Sequence, residues 1–175
     1  MAILDVVVFP DKRLRVKCKT VTTFDDKLKQ FAQDMFDTMY DDNGLGLAAP
    51  QVGSDKRIVV MDVPLDEDGE QGFNQIAMVN PVILEKSEPK ESTEGCLSVP
   101  DYNACVNRYN KVVAKYYDLD GKECIIEAQG LQAVCIQHEL DHLEGKLFID
   151  YLSPLKRDIV LRKYKKLKRA QKDND

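Results

Sequence analysis

His138, Glu139 and His142 are the residues of this sequence best suited to chemistry, because they form the pattern His-Glu-x-x-His. In a helix, residues four apart lie on nearly the same face, about 6 Å apart along the axis. Two imidazoles placed in this way can bind one transition metal, and the glutamate after the first histidine can then act on water held by that metal. The sequence has no other histidine. The competing interpretation is a charged surface helix that carries two histidines by chance.

The segment around this pattern is expected to be a buried helix. Residues 131–143 follow a helical pattern that is apolar on nearly every side, and Gly145 is a suitable stop signal just after it. Polar side chains on a buried helix need partners, since unpaired polar groups in a core cost free energy. A metal ion is such a partner, so burial favours a metal site over a surface helix.

A metal bound by two histidines needs a further ligand, because catalytic sites of the zinc type use three protein ligands plus water. Without a third histidine, the candidate is a Cys, Asp or Glu elsewhere in the chain. Cys96 stands out in the segment Glu94-Gly95-Cys96-Leu97-Ser98, where Gly95 lets the backbone approach another element closely. A thiolate at Cys96 would complete the site. The alternative is a buried structural cysteine, which is the commoner role of a single cysteine.

The segment 44–51, GLGLAAPQ, combines two glycines and two alanines, so its backbone can lie against a ligand or a helix. Gln51 adds a side-chain amide that can donate a hydrogen bond. A phosphate-binding loop is disfavoured, because no Lys-Ser/Thr pair follows and the segment comes after a helix rather than a strand. Taken alone, such a segment is more often a tight connection than a site.

The elements that must position these residues are one helix and a run of four strands, which come before the histidine helix in the sequence. Apolar residues at helical spacing predict a helix at 25–41, capped by Asp25 or Asp26 and ended by Asp42-Asn43-Gly44. Runs of β-branched and apolar residues predict four strands, at 57–63, 75–84, 111–118 and 123–128. The second of them is expected to bend or end near Pro81.

Two connections have their own signals. Asp120-Gly121 indicates a type I′ hairpin turn, and the acidic segment 64–72 indicates an exposed loop. The expected fold is therefore α+β, with antiparallel strands around one buried metal-binding helix and with N-terminal and C-terminal flanking helices.

Composition indicates one globular domain, with 175 residues of which 43% are hydrophobic and 31% charged. No apolar run approaches the length of a membrane span, and the first residues lack the pattern of a signal peptide, so the cytoplasm is the expected compartment. The five cysteines are an odd number and form no CxxC pair. This argues against a disulfide framework and fits reduced thiols.

Charge is distributed unevenly along the chain. Residues 156–175 carry nine Lys or Arg and three Asp, in a protein whose net charge is −5. Ser153-Pro154 is a good helix start, and the helix after it has apolar residues at roughly helical spacing, namely Leu155, Ile159, Leu161, Tyr164 and Leu167. One interpretation is a solvated terminal helix packed by one apolar stripe. The other is a cationic helix that binds a polyanion, most plausibly RNA; a membrane surface is the weaker option.

Together, three of these segments resemble the motifs of the peptide deformylase family. The family has a GxGxAAxQ loop, an EGCxS segment and an HExxH helix, which stand here at 44–51, 94–98 and 138–142. All three are complete, in the family's order and at about its separations. The resemblance covers essentially the whole chain, with residues 1–155 as the catalytic domain and 156–175 as a basic helix of the same domain.

The resemblance implies removal of the formyl group from the N-terminal formyl-methionine of new polypeptides. It assigns Cys96, His138 and His142 as ligands of one divalent metal, typically Fe²⁺, with Zn²⁺, Ni²⁺ or Co²⁺ as substitutes. Glu139 is then the general base and acid. The Leu97 backbone N–H and the Gln51 side chain are the oxyanion donors. The implied partners are the formylated nascent peptide and, through the basic helix, the ribosome, with no membrane.

The resemblance also implies a substrate pocket. Its residues would be Gly44, Leu45, Gly46, Glu94, Gly95, Leu131, Val134 and Cys135, with an apolar part for the methionine side chain and backbone groups that pair with an extended peptide. Ser92 stands where related enzymes often have an aliphatic pocket residue. Asn103 stands where many of them have an arginine near the pocket rim, although Arg108 follows downstream in this sequence. These departures affect the pocket rather than the metal. Asp141 is expected to face away from the metal, as a support for the site or for helix packing, or else as a solvated carboxylate.

Two other functions remain open at this point. Another HExxH metallopeptidase would generally take its third ligand from a downstream Glu or His, whereas Cys96 is upstream. A structural metal site in a nucleic-acid-binding module would usually have four protein ligands.

Overall fold

The computed structural model of this chain describes residues 2–66, 68–69, 72 and 74–175. Its strands form one antiparallel sheet in chain order, made of β1 (Gly46–Ala48), β2 (Ile58–Asp62), β3 (Gln75–Cys96), β4 (Val99–Tyr117) and β5 (Glu123–Gln129). Its α-helices are α1 (Asp26–Asp41), α2 (Leu131–Leu143) and α3 (Pro154–Asn174). The expected α+β fold, with antiparallel strands and two flanking helices, is confirmed.

Helix α1 covers one face of the short strands. It begins where the Asp25 carboxylate accepts a hydrogen bond from the Leu28 backbone N–H at 3.0 Å, which caps the first turn. It ends one residue before Asp42, and Asn43 then takes a positive φ of 55°. Apolar residues of α1 pack against Leu47, Ile58 and Val60 of β1 and β2.

Helix α2 packs on the opposite face of the sheet and is buried, with ten of its thirteen residues in the interior. It stops at Leu143, and Gly145 follows with a φ of 74°. A Cβ on Gly145 would lie 2.6 Å from the Arg15 carbonyl oxygen, so only glycine fits there without movement. The surface-helix interpretation of the histidine pattern is therefore wrong.

Strands β3 and β4 are much longer than predicted. The register of β3 shifts between Val79 and Val82, so the chain bends at Pro81 as expected but does not end there. Beyond Leu84 the hairpin is largely exposed and polar, which hides the alternation that would indicate a strand. The hairpin turns back at Leu97, where Cys96 pairs with Val99.

Of two further expectations, the turn type is corrected and the loop holds where the structure describes it. The hairpin between β4 and β5 exists, but Asp120 does not have the positive φ that a type I′ turn requires; Gly121 alone does, at 82°. The Asp118 carboxylate accepts hydrogen bonds from the backbone N–H groups of Asp120 and Lys122, which favours this longer loop. The expected loop at 64–72 is exposed or half-buried at 64–66, 68–69 and 72, and the rest of it lies outside the described residues.

Helix α3 begins as expected, with Ser153 as N-cap and Pro154 in the first turn. The stripe that packs differs in part from the expected one. Tyr164 is buried as expected and Leu161 is half-buried, but Val160 packs beside them against Phe9 and Phe148, and Leu155, Ile159 and Leu167 are exposed. The Tyr164 hydroxyl donates to the Pro100 carbonyl. Within the described part of the chain, no helix combines the length and apolarity needed to cross a membrane.

Candidate active site

The two histidines of α2 meet Cys96 at the end of β3. One ligand atom from each of Cys96, His138 and His142 lies within 4.8 Å of the other two, and the Cys96 sulfur lies 3.4 Å from His142 Nε2. Burial lowers the pKa of His142 well below its ordinary value, so its imidazole is neutral and has a free lone pair. A cysteine sulfur and two imidazoles at this separation fit a first-row divalent metal.

His138 is oriented by an acidic neighbour. Its Nδ1 lies 2.8 Å from Glu94 Oε1, so the ring donates there and leaves Nε2 for a metal. Burial by itself would raise the pKa of Glu94, but hydrogen bonds from Arg108 and His138 hold it below its ordinary value. For His138 the effects are reversed. Burial by itself would lower its pKa, but Cys96, Glu94 and Glu139 raise it well above its ordinary value. This negative surrounding also favours a bound cation.

Glu139 lies between the two histidines and is 4% exposed. Its Oε2 has no hydrogen-bond partner among the described residues. Burial raises the pKa of this carboxyl group to about 7, which suits a group that takes up and releases a proton near neutral pH. The geometry therefore favours a general base or acid.

Gly46 in β1 passes directly over Glu139. A Cβ at this position would lie 2.8 Å from Glu139 Oε1 and 2.9 Å from the Cys135 sulfur. Both distances are shorter than ordinary contact, so the close approach requires glycine here. The GLGLAAPQ segment is thus one wall of the site, and its interpretation as a mere connection is wrong.

Gln51 faces the candidate metal ligands from the 3₁₀ turn Ala49–Val52 after β1. Its Oε1 accepts a hydrogen bond from the Ala48 backbone N–H at 2.9 Å, which orients the amide. The Nε2 group then points toward the Cys96 sulfur, 3.5 Å away, and the Ser98 hydroxyl, 3.3 Å away. Leu97 is in the turn that follows Cys96.

A cleft of about 710 Å³ opens over this group. It is lined by nearly all the residues expected to bind substrate or act on it, namely Gly44, Leu45, Gly46, Gln51, Glu94, Gly95, Cys96, Leu97, Leu131, Val134, Cys135, His138 and Glu139. His142 lies beneath it and is buried. Leu131 is half-exposed at the rim, and the Glu94 carboxylate points away toward Arg108 and His138.

The two departures noted in the sequence, Ser92 and Asn103, both line the cleft. A Cβ on Gly95 would lie 2.5 Å from Asn103 Oδ1, so Asn103 packs against the glycine. Further lining residues were not expected, among them Val6, Val8 and Asp101. They come from the N-terminal segment and from the irregular start of β4, and no local sequence signal links them to the site.

Arg108 and Asp141 lie behind the site rather than at its rim. Asp141 faces away from the cleft, as expected, and accepts hydrogen bonds from Arg108 Nη1 at 2.7 Å and from the Tyr151 hydroxyl at 2.8 Å. The solvated-carboxylate alternative is therefore wrong. Tyr151 was not expected near the site, and its role depends on tertiary packing that no sequence motif encodes.

A buried glutamate whose Oε2 has no partner in the described part of the chain, beside a cysteine and two histidines, fits a metal-dependent hydrolase. The sequence model of the family described as polypeptide deformylase matches residues 3–158. The chain belongs to this family and is a hydrolase of the deformylase type. The family is metal-dependent, and this chain has a Cys/His/His group that can bind a metal.

Curated relatives and solved structures agree with this assignment. The peptide deformylase of Brucella suis biovar 1 is 52% identical over 169 residues, with 95% of this chain and 94% of the relative covered. That of Alkalilimnicola ehrlichii is 46% identical over 175 residues, covering 99% and 96%. Among solved structures, the peptide deformylase of Ehrlichia chaffeensis in complex with actinonin has a TM-score of 0.89 at 45% identity, covering 97% of this chain and 99% of that one.

Proposed function

We propose that this protein removes the formyl group from the N-terminal formyl-methionine of nascent polypeptides. The observation that carries the proposal is the convergence of Cys96, His138 and His142 beside one cleft. Glu139 lines this cleft, its Oε2 has no hydrogen-bond partner among the described residues, and the chain belongs to the polypeptide deformylase family. The reaction breaks an amide bond between the formyl carbon and the methionine nitrogen, and the products are formate and a free amine.

The residues proposed to hold the metal are Cys96 through its sulfur and both histidines through Nε2. We propose Fe²⁺ as the native ion, which the resemblance to the deformylase family implies, with Zn²⁺, Ni²⁺ or Co²⁺ as substitutes. One soft thiolate and two imidazoles suit all four ions. When bound, such an ion supplies Lewis acidity, which polarises a carbonyl and lowers the pKa of water from about 16 to about 7. Glu94 supports the site by holding the Nδ1–H of His138.

Glu139 is proposed to move the proton. It accepts a proton from the attacking water and later gives it to the departing methionine nitrogen. Its burial and its pKa of about 7 support both halves of this role. The negative oxygen that forms during attack is proposed to accept hydrogen bonds from the Leu97 backbone N–H and from Gln51 Nε2.

Substrate binding is proposed to use both sides of the cleft. In the described part of the chain β1 pairs only with β2, so its other edge is available to an extended peptide together with the backbone of 94–97. Leu45, Leu131, Val134 and Cys135 are proposed to surround the methionine side chain, and the backbone at Gly44, Gly46 and Gly95 is proposed to face the peptide. Ser92 and Asn103 are proposed to tune the preference beyond methionine.

The reaction is proposed to take place in the cytoplasm, where the five free thiols would stay reduced. Residues 156–175 are proposed to contact the ribosome as the basic end of the same domain that residues 1–155 form. The exposed Leu155 and Ile159 beside a row of cationic side chains support a docking surface of this kind.

The test of the proposed reaction is formate release from a formyl-Met peptide by the wild type and by Glu139→Gln. The variant keeps the shape of the side chain but loses the base, so we expect it to bind metal in the same amount and to lose at least about 100-fold in kcat. An internal peptide without a formyl group is the control substrate for a general metallopeptidase, and no cleavage of it is expected. Retained turnover in Glu139→Gln would refute the role of Glu139.

A further inference from the structure

A chain of hydrogen bonds runs from His138 to the protein surface. Glu94 Oε1 accepts from His138 Nδ1 at 2.8 Å, and both Glu94 oxygens accept from Arg108, from Nε at 2.7 Å and from Nη2 at 2.8 Å. Arg108 then donates through Nη1 to Asp141 Oδ2 at 2.7 Å, and the Tyr151 hydroxyl donates to the same oxygen at 2.8 Å. The path leaves α2 at His138 and returns to it three residues later at Asp141.

The inner part of this path is buried, and its geometry is constrained. The side chains of Arg108 and Glu94 are 4% and 6% exposed. The guanidinium group is planar, so its two bonds to Glu94 and its one bond to Asp141 fix each other's directions. If Asp141 released Arg108, the guanidinium group could rotate, and Glu94 would lose the fixed partner that orients it toward His138.

The outer part of the path reaches solvent. The Asp141 side chain is 19% exposed and Tyr151 is half-exposed. The Tyr151 ring also lies against Arg108, with the guanidinium carbon 5.1 Å from the ring centroid. Tyr151 therefore contacts both Asp141 and Arg108, although it lies in the 3₁₀ turn Phe148–Tyr151, just before α3.

We propose that Asp141 and Tyr151 are positioning residues for His138, which act through Arg108 and Glu94 on the direction of its Nε2. Neither residue lines the cleft, and neither touches substrate or metal. Their effect is to keep one ligand atom aimed at the metal, so their loss weakens metal binding and lowers kcat while KM stays the same. This inference rests on the proposed metal site.

The direct test is the affinity of the full-length protein for Co²⁺, measured anaerobically by competition with a chelator and followed by the visible absorbance of the thiolate-bound ion. For Asp141→Ala we expect affinity to fall about 3- to 10-fold. This is less than the roughly 10- to 100-fold typical for the direct partner of a metal ligand, because Asp141 acts through Arg108 and Glu94. Asp141→Asn keeps an acceptor without the charge and should lose less. Tyr151→Phe keeps the ring on Arg108 and should lose a few-fold.

Matched controls separate positioning from general stability. Tyr109→Phe alters another partly exposed tyrosine, and Asp158→Asn removes an exposed carboxylate on α3; both should bind Co²⁺ within about twofold of the wild type. The stability of each variant is also measured, by denaturant unfolding of the metal-free protein. A purely structural role would lower that stability but leave the Co²⁺ affinity of the folded protein unchanged.

The possible results are distinct. Weaker Co²⁺ binding in Asp141→Asn and Tyr151→Phe, with kcat lowered and KM unchanged, supports the proposal. Equal binding by these variants and the wild type would overturn it, even if Asp141→Ala fails to fold. A wild-type protein that binds no Co²⁺ would instead refute the proposed metal site itself.

Discussion

Gly46→Ala is the substitution whose effect on catalysis follows most directly from the geometry. The added methyl group would lie 2.8 Å from Glu139 Oε1, about 0.6 Å closer than ordinary contact. The backbone of Gly46 cannot retreat easily, because it pairs with Met61 in the sheet. The Glu139 carboxylate must therefore move by about half an ångström. Since a 1 Å misplacement can cost about 100-fold in rate, we expect a loss of about 10-fold in kcat/KM, or ~1.4 kcal/mol.

The assay is formate release from a formyl-Met peptide, with metal content and thermal unfolding measured on the same preparation. The metal ligands are not touched, so metal content should match the wild type, and overpacking should cost about 1–3 kcal/mol of stability. Gly44→Ala is the comparison, because its methyl group would meet the flexible end of the Leu97 side chain at 2.9 Å, and it should lose less activity. A Gly46→Ala protein with full metal content and kcat/KM within twofold of wild type would refute the claim that close packing positions Glu139.

Three further outcomes are expected. Gln51→Leu should lower kcat by about 100-fold, or ~3 kcal/mol, with little change in KM, and an unchanged kcat would remove Gln51 from the oxyanion site. Removal of metal with a chelator should abolish formate release. It should also lower the melting temperature, because an ion that binds only the folded protein stabilises the folded state. An unchanged melting temperature would argue against the metal site. Replacing Lys165, Lys166 and Arg169 together by Gln should weaken ribosome binding at least about 10-fold and reduce its salt dependence. The triple variant should keep its activity on a small peptide. The control is a variant in which Lys12, Lys27 and Lys90 are replaced by Gln. Equal ribosome binding by the two variants would show that α3 is only a solvated helix.

The parts of the fold that could be predicted from sequence are those encoded locally. The caps at Asp25 and Ser153 and the stop at Gly145 are side-chain or backbone features within a few residues of each helix end, so the three helices were predicted within a residue or two. The burial of α2 also followed from its own composition. The HExxH pattern needs only helical geometry, so the proximity of His138 and His142 was predictable as well.

The features that were missed depend on register and tertiary packing. The β3–β4 hairpin beyond Leu84 is solvated on most positions, and only its pairing makes it a strand. Arg108 reaches Glu94, fourteen residues earlier in the chain, because β4 pairs with β3. No local sequence signal indicates that pairing. On α3 the burial of Tyr164 was expected, but that of Val160 was missed, because Phe9 and Phe148 orient the helix.

The central claim is that Cys96, His138 and His142 hold one divalent ion on which deformylation depends. The most direct measurement is formate release from a formyl-Met peptide as a function of metal bound per chain, in protein purified without air, stripped and then reloaded with Fe²⁺. We expect formate release to rise in proportion to metal occupancy and to stop rising at one ion per chain. The Cys96→Ser variant should need a higher metal concentration to reach one ion per chain. Formate release that is the same in stripped and reloaded protein would contradict the account.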